Sequence, residues 1–429
     1  MANVQVPDNT NSLHNIGEYI MEYEPLRNAY LTALINRIGM VIITSKLWDN
    51  PWSVFKRGRL EFGETVEEIF VNIAKPHSFD PEKAEKEVFK REIPDVRAAF
   101  HTMNFQKFYK VTISNDQLRQ SFLTWSGITD LIARIVDSLY TGMNYDEYVT
   151  MKYMISREIL NGGLHQVNTE VLNKANAEDV ISLTRADVLN MGFLSGNYNR
   201  AGVKTSSSIE DLYVIIDTTK LSVVDVSVLA AAFNMGKAEF LGHIITVDSW
   251  GSHDKERLDE LFGDDADYQY FTENELLLLG TVNLAVVDKG WWMVFDNFDT
   301  FTQNYNGEGL YWQYWYHVWR TFSVSPFANA IVSTSSTSVI SGVTVSPNAA
   351  NLTQGSTMVF TADVAGSGIY DQSVSWTVTG NTVPGTTIDP YSGALHVARD
   401  EPADTDLIVT ATAANGTSTG TAKVTVTEA

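Results

Sequence analysis

Carboxylates and histidines are the side chains best able to do chemistry, and their spacing in this chain argues against it. Asp264, Asp265 and Asp267 are close enough to suggest a calcium loop. Counting from Asp265, however, the sixth position is Tyr270 and the twelfth Leu276, where such a loop needs Gly for its sharp turn and Glu as a bidentate ligand. Asp296 and Asp299 could form an acid/base pair, yet within Phe295-Asp296-Asn297-Phe298-Asp299 they read as turn residues. The eight histidines are scattered, with no two spaced to share a helical face. His317 lies among aromatics and reads as a hydrogen-bonded core residue. No G-x-x-x-x-G-K-[ST] loop, H-E-x-x-H helix or G-x-S-x-G elbow occurs. The aromatic run Tyr311-Trp312-Gln313-Tyr314-Trp315-Tyr316-His317-Val318-Trp319 could stack on bases or sugars, but Val318 and Phe322 predict a strand buried on both faces. These residues predict a protein that is not an enzyme, with no catalytic, cofactor-binding or metal-binding set.

Length and composition set the frame for those side chains. The 429 residues allow two or three domains, each with its own core. A hydrophobic share of 44% with 11% aromatic residues is that of a globular protein. The formal net charge of −22 disfavours sequence-reading contact with nucleic acid and binding to anionic membrane. Absence of cysteine excludes disulfides and thiolate metal sites and fits a reducing compartment. Met1-Ala2-Asn3-Val4-Gln5-Val6-Pro7-Asp8 has neither the basic nor the apolar region of a secretion signal. No run approaches the ~20 apolar residues of a membrane span. The expectation is a protein used inside the cell that makes it.

Periodicity supplies the elements. Ile128, Leu131, Ile132, Ile135, Val136 and Leu139 share one helical face, and the pattern resumes after Gly142 through Tyr148, Met151, Ile155 and Ile159 before stopping at Asn161-Gly162-Gly163. This predicts a strut helix of roughly 35 residues, on the order of 50 Å long. Upstream, 56–74 and 100–114 alternate in the strand manner and predict a long two-stranded ribbon, with a short charged helix between Asp80-Pro81 and Pro94. An isolated strand pair is marginal in water, so the ribbon should need a neighbouring copy to lie on. Leu212 to Ile216 and His243 to Val247 read as buried strands around a helix from Val224 to Phe233, giving an α/β lobe. His253 to Glu275 is acidic and irregular and reads as a surface insertion. A second α+β region follows through Val282 to Val287, Trp291 to Phe295 and the aromatic run.

Ser333 to Ser338 is a small polar stretch of linker character, beyond which Thr, Val, Ala, Gly and Ser dominate. Short strands are predicted at Val343 to Val345, Met358 to Ala362, Val374 to Val378, Leu407 to Ala413 and Ala422 to Thr427, with turns at Gln354-Gly355, Ser392-Gly393 and Asn415-Gly416. Trp376 is the expected core anchor of this sandwich. The segment resembles a bacterial Ig-like domain of group 2 through Gly342-Val343-Thr344-Val345-Ser346-Pro347, Leu352 with Gly355, Val374-Ser375-Trp376, Asp389 to Leu395 and Ala422-Lys423-Val424-Thr425-Val426. The resemblance implies an adhesive or stabilising module and no chemistry.

The order of ribbon, strut helix, α/β lobe and α+β lobe is similar to the tailed-phage major capsid fold of Hong Kong 97 type. Phe55-Lys56-Arg57-Gly58, Gly63-Glu64-Thr65-Val66-Glu67-Glu68-Ile69, Val88-Phe89-Lys90-Arg91-Glu92-Ile93-Pro94, Ala232-Phe233-Asn234-Met235, Gly309-Leu310-Tyr311-Trp312 and Phe327-Ala328-Asn329-Ala330 closely resemble the major capsid proteins of small podoviruses related to Bacillus phage phi 29. That family also carries a C-terminal group 2 Ig-like domain. The resemblance implies an α+β fold with an N-terminal arm at 1–47, an extended loop at 48–114, and a spine helix with peripheral and axial domains at 115–332. A linker at 333–341 and an all-β Ig-like domain at 342–429 complete it. It further implies a virion component assembled in the host bacterial cytoplasm. Its hexamers and pentamers would tile an icosahedral or prolate shell, guided by a scaffolding protein and carrying a portal at one vertex. Packaged double-stranded DNA would be touched non-specifically, with no membrane and no cofactor. On the loop, Lys56, Arg57 and Arg59 with Glu61, Glu64, Glu67 and Glu68 would meet the adjacent subunit. The 253–275 stretch would be an insertion in the axial lobe. A bacterial adhesion protein is the competing reading and rests on the Ig-like resemblance alone. A glycan hydrolase is the third and lacks its carboxylate pair.

Overall fold

The computed structural model describes residues 48–60, 65–74, 96–114, 127–224 and 243–428, with positions 25 and 29; for 127–136 it describes the backbone alone. The expected arm at 1–47, Glu61, Glu64, the charged helix before Pro94 and the helix from Val224 to Phe233 therefore lie outside the described residues, Val224, Pro25 and Ala29 excepted.

The strut helix forms as the periodicity predicts. Helix α1 (Gly127–Leu160) runs for 34 residues without a break at Gly142. Tyr109 packs over that glycine, its ring 3.6 Å from where a Cβ would stand, an ordinary van der Waals distance. Met151, Ile155 and Ile159 follow one another at i, i+4 and i+8 and are essentially fully buried. The helix ends where Gly162 turns to φ +66° and the Gly163 N–H caps the Glu158 carbonyl at 2.7 Å.

Two sheets use this helix and its flanking segments. In the first, strands stand in the order β1 (Lys56–Arg59), β9 (Trp292–Asn306), β10 (Tyr311–Val324), β4 (Phe105–Ser114). The second runs β5 (His165–Asn168), β11 (Ala330–Thr334), β8 (Val282–Asp288), β6 (Leu212–Asp217), β7 (Ile244–Val247). Helix α2 (Ala177–Asn190) packs on this second sheet, its Val180, Ile181 and Val188 sharing a core with Val214, Ile216 and Ile331.

The ribbon is shorter than expected. Among the described residues of the ribbon, only β2 (Val66–Val71) and β3 (Val96–His101) pair with each other. Strand β4 pairs instead with β10, from Tyr311 opposite Ser114 to Arg320 opposite Phe105, and β1 runs parallel to β9. Alternation shows that a segment is a strand and says nothing about its neighbour, so the two ends of the presumed ribbon were free to join a longer sheet.

Five further expectations are corrected. Asp296 and Asp299 are not turn residues; they lie within β9. Strand β10 is buried on both faces only from Arg320 to Phe322; before that Trp312, Tyr314, Tyr316 and Val318 point inward while Tyr311, Gln313, Trp315, His317 and Trp319 are half-buried on the outer face. His317 is thus a surface-side residue, its Nε2 3.1 Å from the Thr302 hydroxyl. The linker begins later than expected: Ser333 and Thr334 are buried in β11, their hydroxyls bonded to those of Thr169 and Thr281 at 2.9 Å each. Small hydroxyl residues read as linker, yet a fully satisfied hydroxyl is at home in a core. Finally, 253–275 is no loose surface insertion, for it holds α3 (Lys255–Phe262) and the start of α4 (Glu273–Gly280). Leu258, Leu261 and Phe271 from this stretch enter the main core beside α1.

The C-terminal module is built from β12 (Val339–Ser346), β13 (Ala349–Thr353), β14 (Thr357–Val359), β15 (Thr361–Ser367), β16 (Val374–Thr379), β17 (Thr387–Ile388), β18 (Ala394–His396), β19 (Asp406–Ala413) and β20 (Thr419–Thr427). Strand β12 pairs with β15, β13-β20-β19-β16 form one sheet and β14-β18-β17 another. Trp376 is buried among Phe360, Leu395, Val409 and Val424 between these layers. The three turns expected here carry positive φ at Gly355, Gly393 and Gly416.

Candidate functional site

Strand pairing divides the ribbon into two faces of opposite character. Val66 stands opposite His101, Glu68 opposite Ala99 and Phe70 opposite Arg97, and these side chains point toward the chain's own body. Phe70 stacks on Phe327 with centroids 5.6 Å apart. Glu68 accepts from the Ser325 hydroxyl at 2.8 Å and pairs with His101 Nε2 at 3.2 Å, while His101 Nδ1 meets the Ser323 hydroxyl at 2.7 Å. The other face carries Glu67 opposite Phe100, Ile69 opposite Ala98 and Val71 opposite Val96. Here Ile69, Val71, Val96 and Phe100 are 58%, 56%, 52% and 65% exposed. Four large apolar side chains in one contiguous strip are unusual on a free surface and mark an interaction site.

The root of the ribbon is held by burial and charge. Trp52 and Phe55, just before β1, are fully buried, with the Trp52 ring 5.6 Å from Tyr148 and 5.7 Å from Trp292. Lys56 lies 3.0 Å from Glu147 of α1 and 2.7 Å from Asp296 of β9. Arg57 donates to the carbonyls of Trp292 and Gly290 at 3.0 and 2.6 Å. Arg320, almost fully buried, reaches Glu147, Asp296 and Asp299 at 2.9, 2.7 and 2.9 Å. Burial works against charge on Arg320, but Asp296, Glu147 and Asp299 outweigh it and hold the guanidinium above its ordinary pKa.

Of the seven loop residues singled out from the sequence, Lys56, Arg57 and Glu68 are therefore engaged within the chain, Arg59 and Glu67 are exposed, and Glu61 and Glu64 fall outside the described residues. Beside them the apolar strip is the exposed surface of the ribbon. Its signal was present in the alternation of Ile69, Val71 and Ile73, although which face would be free was not. Glu147, Arg320 and Asp299 gave no signal as a cluster, because Glu147 of the long helix lies far in sequence from the β9–β10 hairpin that carries the other two.

Among the described residues no helix is long and apolar enough to cross a membrane, and no group of three His, Cys, Asp or Glu is placed to hold a metal ion. The clustered carboxylates Glu147, Asp296 and Asp299 are paired with Lys56 and Arg320, an arrangement suited to joining elements rather than to proton transfer.

Known proteins resemble this chain along most of its length. The profile of the Phi29-like phage major capsid protein family matches residues 4–334. The major capsid protein of Bacillus phage B103 is 35% identical over 399 residues, 92% of this chain and 82% of that protein. That of Bacillus phage PZA is 34% identical over 407 residues, 94% of this chain and 84% of that protein. In fold, the capsid structure of Staphylococcus phage Andhra is similar with a TM-score of 0.50 at 20% identity, covering 68% of this chain and 86% of that one.

Proposed function

We propose, from the premise that this chain belongs to the Phi29-like phage major capsid protein family and is the major capsid protein of a tailed phage, that its copies join by laying the apolar strip of the ribbon on an adjacent subunit. A major capsid protein assembles with copies of itself into the shell of the virion, a structural role. The single observation carrying the contact is the exposure of Ile69, Val71, Val96 and Phe100 on one face while the opposite face is bonded to the chain's own body. The ribbon is anchored on one side and offers the other.

The finer picture rests on the same reading. The order of elements supports a Hong Kong 97 type architecture, with 48–114 as the extended loop, α1 as spine, the second sheet in the axial domain and the first in the peripheral domain. Hexamers and pentamers closing an icosahedral or prolate shell supply the neighbour that each ribbon requires. Arg59 and Glu67, both exposed, are free to choose register, each exposed pair contributing ~0–1 kcal/mol. The layered strands around Trp376 support an Ig-like group 2 module. Assembly takes place in the host cytoplasm with a scaffolding protein and a portal, and the negative chain suits DNA that must slide without sticking.

The test is assembly of an Ile69→Asp, Phe100→Asp double variant, observed by negative-stain microscopy and sedimentation. Folded subunits that no longer form shells are expected. Normal shells from that variant would overturn the contact.

A further inference from the structure

We infer that the C-terminal module is a fixed brace seated on the body, and that its Asp389 holds the paired strands of the ribbon near the end away from their root, through Arg97 of β3. The seat is the first part of the argument. Ile369, in the loop between β15 and β16, is 1% exposed and belongs to the main core of the body, alongside Ile159 and Leu164. Its N–H donates to the Ser336 hydroxyl at 3.2 Å. Next to it, Asp371 lies 3.2 Å from His165 Nδ1. The body backbone comes closer to the module than a side chain would permit: a Cβ on Gly162 would stand 2.6 Å from the Tyr370 carbonyl oxygen, and one on Gly202 would stand 2.8 Å from Tyr391 Cβ. A tethered bead has no plug and no such fit.

The grip is the second part. The Arg97 guanidinium donates to the Ala201 carbonyl at 2.5 Å and lies 3.5 Å from Asp389 Oδ1. One side chain thus joins the ribbon, a body loop and a turn of the module. Asp389 is itself rigid, accepting the N–H groups of Tyr391 at 3.0 Å and Ser392 at 2.7 Å. Burial would raise its pKa, but the bonds from Ser392 and Tyr391 and the charge of Arg97 hold it below the usual carboxylate range. A strand pair of six residues per side cannot fix its own direction. A guanidinium bonded to a body carbonyl and ion-paired with a carboxylate held in a turn can. Arg97 and Asp389 are therefore positioning residues: they set the angle at which the outer strip is presented, a consequence that rests on the strip being the contact with the next subunit.

Hydrogen exchange of the full-length isolated subunit tests the grip without reference to assembly. Asp389→Asn keeps the acceptor for the turn and removes the charge. The amides of 96–101 should then exchange about tenfold faster, while those of β19 and β20 stay protected. Adding Arg97→Gln to Asp389→Asn should bring no further acceleration beyond the larger single effect, because the two act through one contact. Unchanged exchange in Asp389→Asn, or fully additive effects, would overturn the grip. Loosened ribbons should also yield aberrant particles; regular shells from a subunit whose ribbon has measurably loosened would overturn the positioning role. The function itself is judged by the Ile69 and Phe100 variants, so the two failures are distinguishable.

Discussion

Lys56 Nζ and Arg320 Nε meet on the same two carboxylate oxygens, at 3.0 and 2.9 Å from Glu147 Oε1 and both at 2.7 Å from Asp296 Oδ1. The root of the ribbon, the long helix and the β9–β10 hairpin thereby converge on one point. With Asp299 there are three carboxylates for two cations, and neither cation is redundant.

Removing the deeper cation is therefore expected to be costly. Arg320→Met leaves Lys56 beside Glu147 and Asp296 and takes from Asp299 its guanidinium, and should destabilise the isolated subunit by about 3–5 kcal/mol, whereas Lys56→Met, with Arg320 still in place, should cost about 1–3 kcal/mol. Chemical denaturation followed by tryptophan fluorescence measures both. Equal losses would show that the two cations carry equal shares.

The outer strip of the ribbon should behave in the opposite way. Ile69 and Phe100 are more than half exposed, so replacing either by Asp should change the stability of the isolated subunit by no more than about 0.5 kcal/mol. A loss of several kcal/mol in the denaturation curve would mean that the strip serves the subunit's own fold.

Gly162 and Gly416 both adopt positive φ, at +66° and +70°, but only Gly162 faces another part of the chain. Alanine at Gly416 should cost about 1 kcal/mol of backbone strain alone. At Gly162 the same change adds the collision with Tyr370 and should cost about 2–4 kcal/mol, with faster exchange at the module's seat. Equal costs would mean that the seat yields.

Acid should weaken the packing of 253–275 against the long helix. His253 Nε2 lies 3.0 Å from the Ser156 hydroxyl and its ring 4.4 Å from Phe271. Burial, and after it the charge of Lys152, lower its pKa from 6.5 to about 3. A histidine depressed in this way contributes stability above its unfolded value, lost as pH falls toward its folded one. Between pH 6.5 and about pH 5 the loss should be about 1–2 kcal/mol, and His253→Gln should abolish that slope. A slope unchanged in the variant would assign it to other groups.

Local pattern was enough to determine the long helix, because one apolar face over eight turns has no competing explanation, and enough to find most strands and the Trp376 core. The residues that resemble phage capsid proteins pointed to the family for the same reason: they are contiguous words. Tertiary structure alone decided who pairs with whom. Strand β4 was legible, but its partner lies some two hundred residues downstream; Asp296 and Asp299 read as turn residues until Arg320 and Lys56 came to neutralise them inside a strand. The hydroxyls of Ser333 and Thr334 read as linker until Thr169 and Thr281 met them in the core. In each case a polar side chain can be buried only if a distant partner satisfies it, and that condition is set by the fold as a whole rather than by any stretch of sequence.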